Sequence, residues 1–303
     1  MKGPFELDPQ AEAFIRWATA HLTSEEATLD RKLGAFLRGY TGPPKAACDD
    51  TRSSIREDAA VREIARLLGE YAGPVRVLDA CCGFGNLPRQ VLRSMRADID
   101  RISFCAVDRD TGSIEAIRSK IDLFNGFLAF DLMQREVWDL AGLDSHTVDL
   151  IVLNNALREI PPSSYSKLFS VFNSLLRPDR GRICIIDMES QPVDAPESIA
   201  INWDGTEAKR FLAAGGFAPE LTLHDKQTTV YQLHCRHSPA GVDGAAMTGE
   251  LRALLEIKLH AALERRRNPS RRNHQEWLVA TGTVARCVEE LTAFGAFPPR
   301  PTV

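Results

Sequence analysis

The sequence predicts an α/β fold: a doubly wound, mostly parallel seven-stranded sheet ending in an antiparallel hairpin, with helical additions at both ends. Three observations lead there. From residue 75 onward, short β-branched and apolar runs alternate with amphipathic segments of helical period, the pattern of strands joined by crossover helices. Glycines follow the first of these runs at once and lead into the next helical segment. The last two extended runs are separated only by the polar residues 225–228, too short a link for a parallel crossover and enough for a hairpin.

Before residue 75 the pattern is helical. Ala11, Phe14, Ile15, Trp17, Ala18 and Leu22 keep a 3.6-residue spacing, and Ser24 is a candidate N-cap for a second helix that the glycines and prolines of 39–44 stop. A third helix is expected over about 53–71, with Ile55, Ala59, Val61, Ile64, Leu67 and Leu68 as its stripe and Gly73 and Pro74 closing it. Strands are then expected at 75–80, 102–107, 127–130, 148–153 and 182–186, with helices at about 86–97, 112–122, 134–140 and 163–176. A helix at about 206–214 ends at Gly215 and Gly216, and the hairpin strands are 220–224 and 229–235. Beyond Pro239 two further helices are marked by Leu251, Leu254, Leu255, Ile257 and Leu259, and by Trp277, Leu278, Val284, Val288 and Leu291. The expected division is a helical region 1–73, an α/β core 74–238 and a helical extension 239–303.

At 303 residues, 44% hydrophobic and 26% charged, the chain has the composition of a globular protein, too apolar for disorder and too charged for a membrane protein. Its net charge of -4 gives no overall attraction to nucleic acid. The local exception is 265–272, where five arginines read either as a solvated loop between helices or as a phosphate contact. The seven cysteines (Cys48, Cys81, Cys82, Cys105, Cys184, Cys235 and Cys287) are odd in number and form no C-x-x-C pair, so neither a metal site nor a disulfide framework is expected. Reduced thiols, no apolar signal core at the start and no apolar run of ~20 residues lead to the expectation of a cytoplasmic protein without membrane contact. The terminal helices could also serve a homo-oligomer.

The glycine loop reads Asp79-Ala80-Cys81-Cys82-Gly83-Phe84-Gly85-Asn86-Leu87-Pro88. A dinucleotide fingerprint would need glycine where Pro88 stands, and the Gly-Lys-Ser/Thr of a phosphate-binding P-loop is absent. Alone, the loop fits either a ligand cradle or a tight strand-to-helix turn. Phe84 either faces a ligand or packs under the loop. Two acidic residues recur near later strand ends: Asp108, a candidate for a diol because a carboxylate can accept two hydrogen bonds, and Asp131. Each has an alternative as a helix N-cap, and Asp110 is better placed than Asp108 to cap.

With these segments in order, residues 75–236 resemble the class I S-adenosylmethionine-dependent methyltransferases. Asp79 to Gly85 resembles the family's D-x-G-x-G-x-G, with Cys81 where the first glycine usually stands. The resemblance implies S-adenosylmethionine as methyl donor. It implies that Asp79 orients the methionine amino group and that Cys81, Gly83 and Gly85 lie along the aminocarboxypropyl chain. It further assigns Asp108 to the ribose hydroxyls, Asp131 and the backbone of Leu132 to the adenine, and Asn154 to the donor site. The stretch 148–161 resembles the fourth strand and its following loop, and 175–187 resembles "LLkPgG-x-l-x-i-x-D", one residue longer at its turn.

The expected activity is methyl transfer to an O, N or C atom, with a small molecule as the acceptor. Asn154-Asn155-Ala156-Leu157 lacks the Pro-Pro-aromatic of DNA adenine methyltransferases. Arg158 stands where many small-molecule enzymes have His, as in quinone C-methyltransferases, and Glu159 is the candidate general base. The alternative for these two is a surface Arg–Glu pair. Two other functions stand beside the first: a catalytically silent donor-binding regulator, and an RNA or DNA methyltransferase using 265–272.

Overall fold

The computed structural model describes residues 51–140, 142–189, 201–225, 229–267 and 274–295. The helices expected over 9–22 and from Ser24, and residues 268–272 of the arginine run, lie outside them. The chain forms two compact units, one of Asp49–Ser190 and Asn202–Leu251, the other of Met1–Cys48, Gln191–Ile201 and Arg252–Val303. The first unit is wider than the expected core segment, because helix α1 (Thr51–Glu70) lays its apolar stripe on the sheet. Ala59, Ile64 and Leu67 are at most 1% exposed and share one core with Val75, Phe104 and Val152.

The sheet has seven strands in the order β3-β2-β1-β4-β5-β7-β6. In chain order they are β1 (Val75–Ala80), β2 (Ile102–Asp108), β3 (Ala129–Gln134), β4 (Leu150–Asn154), β5 (Arg182–Met188), β6 (Glu220–Asp225) and β7 (Val230–Arg236). β1 to β5 are parallel, and β7 is antiparallel to both β5 and β6, so the hairpin closes the sheet as expected. The crossovers carry α2 (Asn86–Ser94), α3 (Thr111–Arg118), α4 (Tyr165–Leu175) and α5 (Gly205–Ala214). α5 opens with a capping box in which Asp204 and Glu207 each satisfy the other's backbone N–H. Two long helices follow, α6 (Gly244–Arg267) and α7 (His274–Ala293). In the second unit Ala262 packs with Val284 and Val288, whereas Ile257, expected on the apolar stripe of α6, is 54% exposed.

Two expectations fail around β3. The apolar run 127–130 is half turn and half strand: Phe124 and Phe127 precede β3, Phe130 lies in it, and the three rings cluster beside Phe104, ring centroids 4.4 to 6.3 Å apart. The strand itself continues to Gln134, and the ladder is extended by the Arg135 N–H donating to the Asp108 carbonyl at 2.9 Å. No helix forms over 134–140, because pairing with β2 claims its first turn. Asp131 therefore caps nothing.

The turn into β5 shows why glycine occupies position 181. Its N–H donates to the Arg177 carbonyl at 2.8 Å, and a Cβ there would lie 2.5 Å from that oxygen and 2.6 Å from the Arg177 nitrogen. Backbone cannot yield as a side-chain tip can. Gly181→Ala is expected to cost about 1–3 kcal/mol and to lower the melting temperature by several degrees, read by calorimetry against wild type.

Candidate active site at the carboxyl ends of the parallel strands

Strand order reverses between β1 and β4, and in open α/β sheets the crevice outside such strand ends takes ligands. Asp79 and Asn154 lie at this point, on neighbouring strands, and Asp108 ends β2 beside them. The loop after β1 turns back over the sheet through three left-handed residues: Cys81 (φ 64°), Gly83 (φ 50°) and Gly85 (φ 73°). Cys81 thus keeps the conformation that glycine adopts without strain, at a cost of roughly 1–2 kcal/mol for a residue with a Cβ. Around a Cβ built on Gly83 there is open space, whereas one on Gly85 would lie 3.0 Å from Ile117 Cγ1. Gly83 therefore leaves room above the loop, and Gly85 lets α2 pack on α3.

Asp108 fastens this loop. Its Oδ2 accepts the Gly83 N–H at 2.8 Å and its Oδ1 the Asp110 N–H at 2.9 Å. The capping function falls to Asp110, which accepts the Ser113 N–H at 2.7 Å at the start of α3. Each Asp108 oxygen retains a lone pair for a further donor. On the outer side Arg89 binds the carbonyls of Phe84 and Gly85 at 2.9 and 3.0 Å. Phe84 is 44% exposed, so it does not pack under the loop.

Asp79 is 2% exposed and its Oδ2 has no hydrogen-bond partner. Burial first, then the charges of Asp108 and the buried Glu57 on α1, pushes its carboxyl up to about 8. An orphan carboxylate among carboxylates calls for a cation. Two more buried acceptors without partners lie one strand over: the Oδ1 atoms of Asn154 and of Asn155, the latter with φ 56°. A cationic amino acid moiety fits these residues, which leave a carboxylate and two amide oxygens unsatisfied.

Other expected residues stand elsewhere. Asp131 pairs with Cys105, three residues short of the end of β3, and by strand alternation lies on the sheet face opposite Asp79 and Asp108. The residue level with Asp108 is Gln134, whose Nε2 donates to Thr111 Oγ1 at 2.7 Å. Leu132 shares the face of Asp108 and packs against the core. Arg158 is not part of a surface pair: it is 4% exposed, and its Nη1 lies 3.7 Å from Asp187 Oδ1, itself buried. Burial pushes the Asp187 carboxyl up and the guanidinium draws it back. Asp187 also accepts the Leu157 N–H at 3.0 Å, and Tyr165 OH donates to the Leu157 carbonyl at 2.6 Å, held in turn by Trp203 Nε1 at 2.9 Å. This chain of bonds fixes the turn Leu157–Glu159, on which Glu159 is exposed and close enough for its charge to raise the Cys81 thiol further beyond what burial and Asp108 do. Counting strand register could have found Gln134; nothing in the sequence marks Glu57 as buried beside Asp79.

Residues 77–179 match the family model of the methyltransferase domain. The matched segment, about a third of the chain, is a methyltransferase domain, and the sheet that carries it has the fold of the class I S-adenosylmethionine-dependent methyltransferases, whose methyl donor is S-adenosylmethionine. No curated protein matches it in sequence. Among solved structures it is similar to the CurJ carbon methyltransferase (13% identity, TM-score 0.56, covering 77% of this chain and 72% of that one). It is also similar to the DszA carbon methyltransferase (11% identity, TM-score 0.52, covering 75% and 66%). At such identity the likeness concerns the fold. No helix among the described residues is long and apolar enough to cross a membrane.

The raised Asp79 carboxyl carries a sign. Its folded value of about 8 lies above the ordinary 3.8, so its contribution to stability is complete below about 3.8 and is lost as pH rises through about 8. Asp79→Asn removes this dependence. The ligand-free variant is expected to melt higher than wild type at pH 8, with the difference vanishing near pH 4, and a higher-melting wild type at pH 8 would refute it.

Proposed function

We propose that this chain transfers the methyl group of S-adenosylmethionine to an O, N or C atom of a small molecule held above the carboxyl ends of β1 and β4. The observation that carries this reading is the buried Asp79 carboxylate with its unsatisfied Oδ2, beside a loop closed over it by Asp108. Bound there, S-adenosylmethionine supplies a methyl carbon activated by a sulfonium. Asp79 takes the ammonium of the amino acid moiety, with the Asn154 amide oxygen near it. Gly83 leaves the approach to the loop open, and Cys81 and Gly85 hold the loop's curvature. Asp108 receives the ribose hydroxyls on the lone pairs its two backbone contacts leave free. Gln134 takes over at the adenine end the place expected of Asp131, since it shares the level and face of Asp108.

For the acceptor, Glu159 is the proposed general base, exposed at the mouth of the site on a turn that cannot swing away. Arg158 acts behind it as a positioning residue through Asp187. Rate enhancement then comes from holding acceptor and donor in line, the effect of a rigid site on two bound reactants. The carbon methyltransferases that share the fold make carbon acids the first acceptors to try.

S-adenosylmethionine at 100 times its Kd is expected to stabilise the protein by about 2.7 kcal/mol, read as a rise in melting temperature. Asp108→Asn and Asp79→Asn should weaken donor binding about 10- to 100-fold, the equivalent of one charge-assisted hydrogen bond. No shift in wild type at millimolar donor would overturn the reading. Glu159→Gln should leave donor binding intact and lower release of S-adenosylhomocysteine in acceptor-containing extract fractions by ~10²-fold or more.

A further inference from the structure

A second cleft, of about 610 Å³, opens between α1 and strands β5, β7 and β6. Its volume falls within the range of ~300–1,000 Å³ common for small-molecule sites. It is remote from the donor site in the sheet. Its residue Arg182 is level with Leu150, at the opposite end of β4 from Asn154, about 13 Å away at ~3.3 Å per residue.

The lining is rich in arginine although the chain as a whole is acidic. Arg62 and Arg66 come from α1, Arg182 from β5 and Arg236 from β7, with His234 among them, against the carboxylates of Glu63 and Glu220. Two like-charge juxtapositions are built in. Arg62 and Arg66 are one turn apart on a helix, and Arg182 and Arg236 are cross-strand partners in register. Either arrangement is destabilising unless something answers the charge.

Part of it is answered from within. The buried Glu63 binds Arg66, lies 3.4 Å from Arg182 and 3.5 Å from His234 Nδ1, and Glu70 takes Arg66 at 2.5 Å and Arg182 at 3.0 Å. Burial opposes the charge on Glu63, yet hydrogen bonds from His234 and Arg66 hold its carboxyl at about 2, so Glu63 stays ionised. Arg62 and Arg236 remain. Both are exposed, and among the described residues neither has an ion pair.

We propose that this cleft binds a small phosphorylated molecule, its phosphate held between Arg62 and Arg236 and its body against Ala59, Ala218 and Leu223. Guanidinium groups match phosphate oxygens two by two, and the fixed Arg66–Glu63–Arg182 set keeps the floor from collapsing onto them. The concave shape favours a small molecule over a nucleic-acid strand.

The test is titration of the full chain with inorganic pyrophosphate at constant ionic strength, followed by calorimetry, with sodium chloride as control. Saturable one-site binding is expected, at least tenfold weaker in the double variant Arg62→Gln/Arg236→Gln and retained in part by Arg62→Lys/Arg236→Lys. Saturating S-adenosylhomocysteine should leave it unchanged, which separates failure here from failure of the donor-site reading. A response that never saturates, or one equally strong in the glutamine variant, overturns the proposal. So does silence toward pyrophosphate combined with retardation of single-stranded RNA that the same variant abolishes.

Discussion

The carboxylate of Asp108 binds the Gly83 N–H with one oxygen and the Asp110 N–H with the other. Those two contacts join the end of β2 to the loop after β1 and to the entry of α3. A loop with left-handed backbone at three alternate residues, one of them with a side chain, needs such an anchor to keep a single shape. The anchor also decides what else can happen nearby. It brings a negative charge toward Asp79, and Glu57 on α1 brings another, so the buried Asp79 carboxyl, pushed up to about 8, holds its proton until a cation answers it. The fold therefore stores an unfavourable interaction that a positively charged ligand relieves.

The far side of β4 is organised by hydrogen bonds rather than by charge imbalance. Trp203, Tyr165, Leu157 and Asp187 form one unbroken series from the chain before α5 to the core of β5. Every polar group in it is buried and matched, which makes it rigid. Arg158 closes the series against Asp187 and so belongs to the frame of the turn. The turn after β4 is thus held by satisfied bonds, whereas the loop after β1 gathers carboxylates around Asp79.

The alternation of strand and helix was legible because strands buried on both faces must read as continuous apolar runs, and β1, β2, β4 and β5 do so. β3 was misread for a physical reason. It is an edge strand whose residues are exposed or half-buried, while the apolar signal comes from a ring cluster that joins Phe124 and Phe127 of the preceding turn to Phe130 at the start of the strand. That error carried Asp131 to a strand end it does not occupy. The assignment of Asp108 rested on Asp110 being the better cap, a local matter of spacing, and the Ser113 contact agrees with it. Glu57 and the Asp187–Arg158 pair were invisible because burial of a charged side chain depends on tertiary neighbours.

Cys81 and Cys82 stand side by side in the glycine loop, and burial, aided by the charges of Asp79 and Asp108, raises both thiols far above the usual range. A thiolate is a strong nucleophile; a thiol is a poor one. With the donor bound as proposed, an ionised sulfur here would compete with the acceptor for the methyl group and be methylated itself. Burial, with the carboxylates of Asp79 and Asp108 proposed to draw in the donor, holds the neighbouring sulfurs protonated. The loop is thereby protected from its own reagent.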